Sequence, residues 1–330
     1  MYRSIDLFAG IGGIRKGFDN AFGDKIKTVF VCEKDKFAQQ TYRQNFKIDN
    51  PIAEDITTFS EINVPPFDIC LAGFPCQAFS SAGKREGFED KKSRGMLFLD
   101  VIRICRYHKP KVIFCENVKN LIYHQKGETF KIIKDAFESI GYTIFFKVFN
   151  SKDFGVPQNR ERVYIVGFKN TIFSDKFKFP TPPLITTSIK EVLENAPIPA
   201  KYYLSDTYLE TLKKHKAHQM EKGGGFGYII RNIDDIAGTL TVGSMGLERN
   251  LIIDEREHSL IPTTHIKGKI NTEGVRKLTP RECARLQGFP EEFILNATDS
   301  QLYKQIGNSV TIPVIEAIAR EIKKVLDQNQ

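Results

Sequence analysis

The sequence predicts an α/β fold: a doubly wound, mostly parallel sheet with helices on both faces, plus a small loop-rich, mostly β domain. Three observations predict it. The first half alternates short apolar runs with amphipathic stretches, the pattern of strands joined by covering helices. A glycine turn follows the first apolar run, where such sheets bind ligands. The alternation then stops at Phe179-Pro180-Thr181-Pro182-Pro183, where three prolines in four residues end any helix or central strand.

Taken in order, strands are expected over residues 4–8, 28–32, 68–72 and 112–115, with helices over 14–22, 36–46 and 95–107 between them. A further helix near 129–140 precedes strands 143–150 and 162–168. These two lie close enough in sequence to pair antiparallel, a common edge on doubly wound sheets. From 184 to 274 only short strands and a glycine cluster (Gly223, Gly224, Gly225, Gly227) are legible. Order returns at Thr279-Pro280-Arg281-Glu282: threonine caps a helix, proline suits its first position and Glu282 completes a capping box. Gly288 ends that helix. The last segment puts Val314, Ile315, Ile318, Ile322 and Leu326 on one helical face, predicting that it packs back on the first domain.

The length, 330 residues, suits two domains or one large α/β domain with an insertion. At 41% hydrophobic and 27% charged, the composition is that of a soluble globular protein, and no apolar run approaches the roughly 18–20 residues that span a bilayer. The opening Met1-Tyr2-Arg3-Ser4-Ile5-Asp6 lacks a signal-peptide pattern, so a cytoplasmic protein without a membrane partner is expected. Six cysteines form no C-x-x-C pair, which argues against a metal ribbon and for reduced thiols; no metal is expected. The net charge of +8 hints at a polyanionic partner. Residues 76–131 carry 12 lysines and arginines against 6 acids, whereas 184–274 carry 11 against 12. The cationic surface should therefore surround the loop that follows Cys76.

In Asp6-Leu7-Phe8-Ala9-Gly10-Ile11-Gly12-Gly13, glycine lets backbone approach a ligand closely and turn sharply. Arg15 breaks the G-x-G-x-x-G pattern, which favours an adenosine cofactor without a pyrophosphate over a dinucleotide. Glu33 lies 20 residues after Gly13, a spacing that suits a carboxylate accepting from both ribose hydroxyls. Asp55 can receive an adenine amino group.

Ala72-Gly73-Phe74-Pro75-Cys76-Gln77-Ala78-Phe79-Ser80 follows the third strand, so Cys76 is expected at the carboxyl edge of the sheet. A nucleophilic role needs a local field that lowers the thiol pKa. Cys32, Cys70, Cys105, Cys115 and Cys283 read instead as small buried hydrophobes. Glu116-Asn117-Val118 ends another strand, bringing to the same edge a carboxyl group that apolar walls would keep protonated.

Together these segments resemble the cytosine-5 DNA methyltransferase family of the bacterial restriction-modification type. The resemblance continues through Gln158-Asn159-Arg160-Glu161-Arg162, through the long run from Arg276 to Pro290, and through Gln305-Ile306-Gly307-Asn308-Ser309-Val310. It implies a Rossmann-like, S-adenosylmethionine-dependent methyltransferase sheet that yields S-adenosylhomocysteine. It further implies a catalytic and cofactor-binding domain over 1–183, a target-recognition domain over 184–275, a hinge over 276–297 and a returning segment over 298–330. Cys76 would add to cytosine carbon 6. Glu116 would hold ring nitrogen 3 and the amine, and Arg162 would hold the carbonyl oxygen and support Glu116, with Arg160 in the same catalytic motif. Phe8, Gly10, Gly12, Gly13, Glu33, Asp55, Ile56 and Asn308 would hold the cofactor. Lys34 stands where many members carry an aromatic or apolar residue. Ser80, Lys84 and Arg85 on the loop after Cys76, and Thr239 of Thr239-Leu240-Thr241, would contact the DNA.

The partner implied is double-stranded DNA with the target cytosine swung out of the stack, bound by a monomer that a restriction endonuclease of the same specificity accompanies. A tRNA cytosine-5 methyltransferase shares this chemistry; the Pro-Cys-Gln-Ala-Phe-Ser run and an insert of about ninety residues favour DNA. A nicotinamide oxidoreductase would need the missing dinucleotide pattern, and a non-catalytic DNA-binding module would have no use for Cys76, Glu116 and Arg162 together.

Overall fold

The computed structural model describes residues 1–75, 97–172, 174–183, 185–224, 227–242, 247–256 and 268–329. The chain divides into two compact units: Met1–Asn150, Glu161–Pro182 and Ser309–Gln330 form one, Ser151–Arg160 and Pro183–Asn308 the other.

In the first unit β1 (Tyr2–Leu7), α1 (Gly13–Phe22), β2 (Ile26–Cys32), α2 (Lys36–Asn45), β3 (Ile69–Ala72), α3 (Leu97–His108) and β4 (Val112–Val118) alternate as the sequence predicts. Then come α4 (Glu128–Ser139) and β5 (Tyr142–Asn150) and, after β6 (Gln158–Asn159) of the other unit, β7 (Glu161–Lys169). The sheet order is β2-β1-β3-β4-β7-β5. β2, β1, β3 and β4 pair parallel, and β7 pairs antiparallel with both β4 and β5, the edge expected from strand spacing.

Successive strand residues face opposite sides, and each side has its own helices. Ile5, Leu7, Cys70, Ile113 and Cys115 pack with Phe98, Val101 and Ile102 of α3 and with Phe130, Ile133 and Phe137 of α4. On the opposite side the ring of Phe114 meets that of Phe18 in α1 at 5.1 Å. α1 is covered in turn by the C-terminal helix (Ile312–Gln328), which buries the five apolar residues that predicted its return. These two helices approach so closely that a Cβ on Gly17 would lie 2.6 Å from Ile315 Cβ.

The second unit has short strands: β8 (Ile230–Arg231), β9 (Ala237–Gly238), β10 (Leu251–Ile253) and β11 (Val275–Lys277). The expectation of a mostly β region is corrected at α5 (Asp206–Glu221), a helix of 16 residues. It buries only Leu209 and Leu212, too few apolar residues to write a helical period into the sequence. Ser205 caps it by accepting from Tyr208 N.

The unit also takes in two segments that the sequence reading placed elsewhere. Residues 158–159 belong to it because they pair with Ala237 and Gly238. Residues 276–308, expected as a hinge and the start of a returning segment, belong to it because Arg276 is buried between Asp254 and Glu282, at 2.7 Å from each. The predicted Thr279–Glu282 capping box opens α6 (Pro280–Leu286), and α7 (Asp299–Asn308) follows.

Gly17→Val should destabilise the protein by about 1–3 kcal/mol, the usual cost of overpacking, because Ile315 and the Glu316 backbone leave no room. Thermal unfolding against wild type measures it.

Candidate active site

The strand order reverses at β1, which lies between β2 and β3. The carboxyl ends of β1 and β3 thus flank the switch point where open α/β sheets bind ligands. The glycine turn leaves β1 and Gly73-Phe74-Pro75 leaves β3, and Gly73 N donates to Leu7 O across the pair.

The turn is strained at its first residue. Phe8 has φ +57°, an unusual conformation for a bulky side chain and of the kind that collects at ligand sites. Gly10 (φ +54°) has open space where a Cβ would project, and its N–H donates to Glu33 Oε2 at 2.7 Å. Asp35 N donates to Glu33 Oε1, also at 2.7 Å. Two backbone donors therefore fix the Glu33 carboxylate, each of whose oxygens keeps a lone pair for another donor. Burial raises its pKa despite those donors.

Gly12 (φ +87°) serves a different purpose. A Cβ there would collide with the Phe46 ring and lie 3.0 Å from Tyr42 Cε2, so glycine is required by packing against α2. Gly13 is the buried first residue of α1.

Asp55 follows a bridge between Cys32 and Ala53 that extends the sheet edge. Oδ1 of Asp55 accepts from Thr57 N and Oγ1 and Oδ2 accepts from Lys34 Nζ at 2.6 Å. These donors, the lysine first, lower its pKa to about 2. Ile56 is buried beside it.

On β4, Glu116 is buried and its Oε1 lies 3.2 Å from Arg162 Nε. Arg162 stands opposite Val118 in the β4–β7 ladder, two residues along from the partner of Glu116. Antiparallel pairing thus joins two motifs more than forty residues apart. Arg162 also donates to Glu161 O, and Glu161 binds Lys119. Asn117 was quoted in its motif but given no role by the sequence; it is buried and donates from Nδ2 to Phe74 O at 3.2 Å. It thereby ties the end of β4 to the residue two before Cys76.

Cys76, Ser80, Lys84 and Arg85 lie outside the described residues. The other five cysteines are buried, and burial pushes the Cys32 thiol up to about 12 and raises those of Cys115 and Cys283. Such thiols stay protonated and make poor nucleophiles.

Arg160 and Arg162 part company within one motif, because the boundary between units falls between them. Arg160 is buried and donates to Leu240 O at 3.1 Å, while Gln158 accepts from Leu240 N and donates to Leu286 O. These two residues brace Thr239-Leu240-Thr241, a role the sequence reading missed. Thr239 gives its hydroxyl proton to Asn159 O. Asn308 is the exposed last residue of α7, and Gly307 before it would bring a Cβ to 3.0 Å from Val242.

Comparison with known proteins adds one deciding observation: a family model described as C-5 cytosine-specific DNA methylase matches residues 2–324. The chain belongs to the C-5 cytosine-specific DNA methylase family. It is 49% identical to the type II methyltransferase M.HpaII of Haemophilus parainfluenzae over 98% of this chain and 89% of that one. It is 44% identical to M.SsoII of Shigella sonnei, over 99% and 81% respectively. Among solved structures, the Entamoeba histolytica methyltransferase EhMeth aligns with TM-score 0.76 at 23% identity, covering 100% of this chain and 99% of its own. The Schizosaccharomyces pombe Dnmt2 methyltransferase aligns with TM-score 0.71 at 20% identity, with both chains covered in full. These two share the fold.

The chain is thus a DNA (cytosine-5-)-methyltransferase, and membership of this methylase family implies S-adenosylmethionine as methyl donor. The turn fits that cofactor: Gly10 fronts open space and Glu33 offers acceptor capacity. Among the described residues no helix is long and apolar enough to cross a membrane.

Gly12→Ala should lower the melting temperature and weaken S-adenosylmethionine binding together, since the methyl group meets Phe46 and the left-handed φ is strained. Gly10→Ala, with open space around it, should affect stability less; paired thermal melts and calorimetric titrations compare them.

Proposed function

We propose that this methylase works by covalent catalysis on a flipped-out cytosine, with Cys76 as nucleophile and Glu116 and Arg162 as the groups that hold the base. The observation that carries this reading is the pairing of buried Glu116 near the end of β4 with Arg162 of β7, joined through Asn117 to the backbone just before Cys76.

Cytosine carbon 5 is a weak nucleophile until carbon 6 carries an added group. The Cys76 thiolate adds to carbon 6, and the ring electrons shift toward carbon 5 as nitrogen 3 takes a proton from Glu116. Glu116 in its protonated form also distinguishes cytosine from thymine, because its second oxygen accepts from the exocyclic amine. Arg162 holds Glu116 and presents N–H groups to the carbonyl oxygen, a planar fork that lysine does not reproduce. S-adenosylmethionine, held by Phe8, Gly10, Gly13, Glu33, Asp55, Ile56 and Asn308 against the Gly12 turn, supplies the methyl group. Loss of the carbon-5 proton to a base then expels the Cys76 thiolate, and return of the nitrogen-3 proton to Glu116 restores the neutral aromatic ring and the starting enzyme.

Base extrusion costs a few kcal/mol, which Ser80, Lys84 and Arg85 offset by holding the opened DNA. Thr239 contributes through its N–H or a redirected hydroxyl, since its proton is engaged with Asn159. Bracing by Arg160 and Gln158 makes Thr239-Leu240-Thr241 a fixed part of a target-recognition unit. On this reading the enzyme acts as a monomer in the cytoplasm, and its similarity to enzymes named type II methyltransferases supports a role in protecting the recognition site of a companion endonuclease.

Transfer of labelled methyl groups to duplex DNA, with bisulfite sequencing to locate them, tests the reading; label entering tRNA while DNA stays blank overturns it. Cys76→Ala should abolish turnover while cofactor binding persists. Glu116→Gln should cost about 10²–10⁴-fold in rate with DNA affinity mostly kept, and Arg162→Lys should lose rate without unfolding. These are measured by single-turnover methylation beside thermal melts.

A further inference from the structure

Beneath the glycine turn runs a chain of buried polar groups that none of the catalytic steps uses. Arg15 Nη1 donates to Tyr42 Oη at 3.2 Å, and Tyr42 Oη donates to Asp6 Oδ2 at 3.0 Å. All three side chains are buried, Asp6 and Tyr42 completely. Arg15 is anchored elsewhere as well: Nη2 donates to Lys47 O and Nε to Asp19. Its guanidinium lies 4.6 Å from the centre of the Phe46 ring and 5.6 Å from that of Tyr42. Those are the two rings against which Gly12 packs. The same helix fixes the ribose carboxylate, since Gln39 Nε2 donates to Glu33 O and Asp35 both caps α2 and donates its N–H to Glu33.

We infer that Asp6, Arg15 and Tyr42 are positioning residues of the cofactor site: through them α2 sets the glycine turn from below while holding Glu33 from the side. The inference rests on the reading of Glu33 and the turn as the adenosine cradle. A hydrogen-bonded network inside a protein is strong only when every member is satisfied, and this one has a weak point. Asp6 Oδ1 is buried and accepts no hydrogen bond among the described residues. Burial, opposed by the Tyr42 hydrogen bond and the charge of Arg15 and assisted by Asp19 and Glu33, raises the Asp6 pKa to about 8. The neutral carboxyl is therefore the form the fold prefers. With the folded value above that of an ordinary aspartate, this contribution is complete below about pH 4. It is lost as pH rises through about 8, where a charge appears under the turn.

The test is S-adenosylmethionine affinity and steady-state kinetics for the full chain, with S-adenosylhomocysteine as a second probe. Tyr42→Phe, which removes the hydroxyl that links Arg15 to Asp6, should raise Kd for both ligands and KM for the donor about tenfold, in line with a lost bond to a charged group. kcat at saturating donor should stay within about twofold. Wild-type affinity should weaken above about pH 8. Because the ligand's own α-amino group titrates in that range, Asp6→Asn is the deciding variant: it should remove part of the alkaline loss, and Tyr42→Phe should move it to higher pH. Unchanged Kd and KM in Tyr42→Phe, or an alkaline limb identical in Asp6→Asn and wild type, overturns the inference. Glu33→Gln separates the premises. If it too leaves affinity unchanged, the cradle itself is misread; if it weakens binding while Tyr42→Phe does not, only the positioning role fails.

Discussion

The parallel pairing of β1 with β3 is the constraint on which the rest of the structure depends. A parallel pair sends both strands the same way, so both chains emerge at one edge and must return over the sheet as helices. Because β2 lies on the far side of β1, the helices that follow β1 and β3 depart to opposite faces and leave a crevice between the strand ends. The glycine turn and the Pro75 segment open from that crevice on adjacent strands, with Gly73 N bonded to Leu7 O. In the proposed reaction a methyl donor and a nucleophile must approach the same base from positions a few ångströms apart, and this pairing supplies the adjacency.

Electrostatics refines what topology places. Around the site ionisable groups are buried in pairs or networks, as their desolvation cost demands: Glu116 with Arg162, Asp6 with Tyr42 and Arg15. In the second unit Arg276 binds Asp254 and Glu282 with no exposure to solvent. Each pair joins residues distant in sequence or closes a helix start, so ionic contacts fix geometry that apolar packing leaves loose. By contrast the exposed Lys34–Asp55 pair contributes little stability.

Much of the fold was legible in the chain. Strands and helices of the first unit have the apolar period their burial requires, and the C-terminal helix carried five core residues on one face. The capping box at Thr279 and Glu282 was visible because capping is local chemistry. The placement of Glu116, Arg162 and the glycine turn was legible for a similar reason: each sits at or beside an end of a strand. What escaped was nonlocal. α5 buries two leucines and leaves no period to read. Gly12 was expected to face the cofactor, whereas Phe46 and Tyr42 explain its lack of a side chain.

The sequence by itself determined the alternation of strands and helices in the first unit, the apolar face of the C-terminal helix and the capping box at Thr279. These follow from side-chain chemistry and short-range periodicity, which need no knowledge of neighbours. Only the tertiary structure decided that Arg160 braces Leu240, two residues from the arginine that meets Glu116. It also decided that Asn117 reaches Phe74, and that an aspartate in the first strand lies buried under Tyr42 with a pKa near 8. Partnership and desolvation are properties of the space around a group, and that space exists only once distant segments have packed.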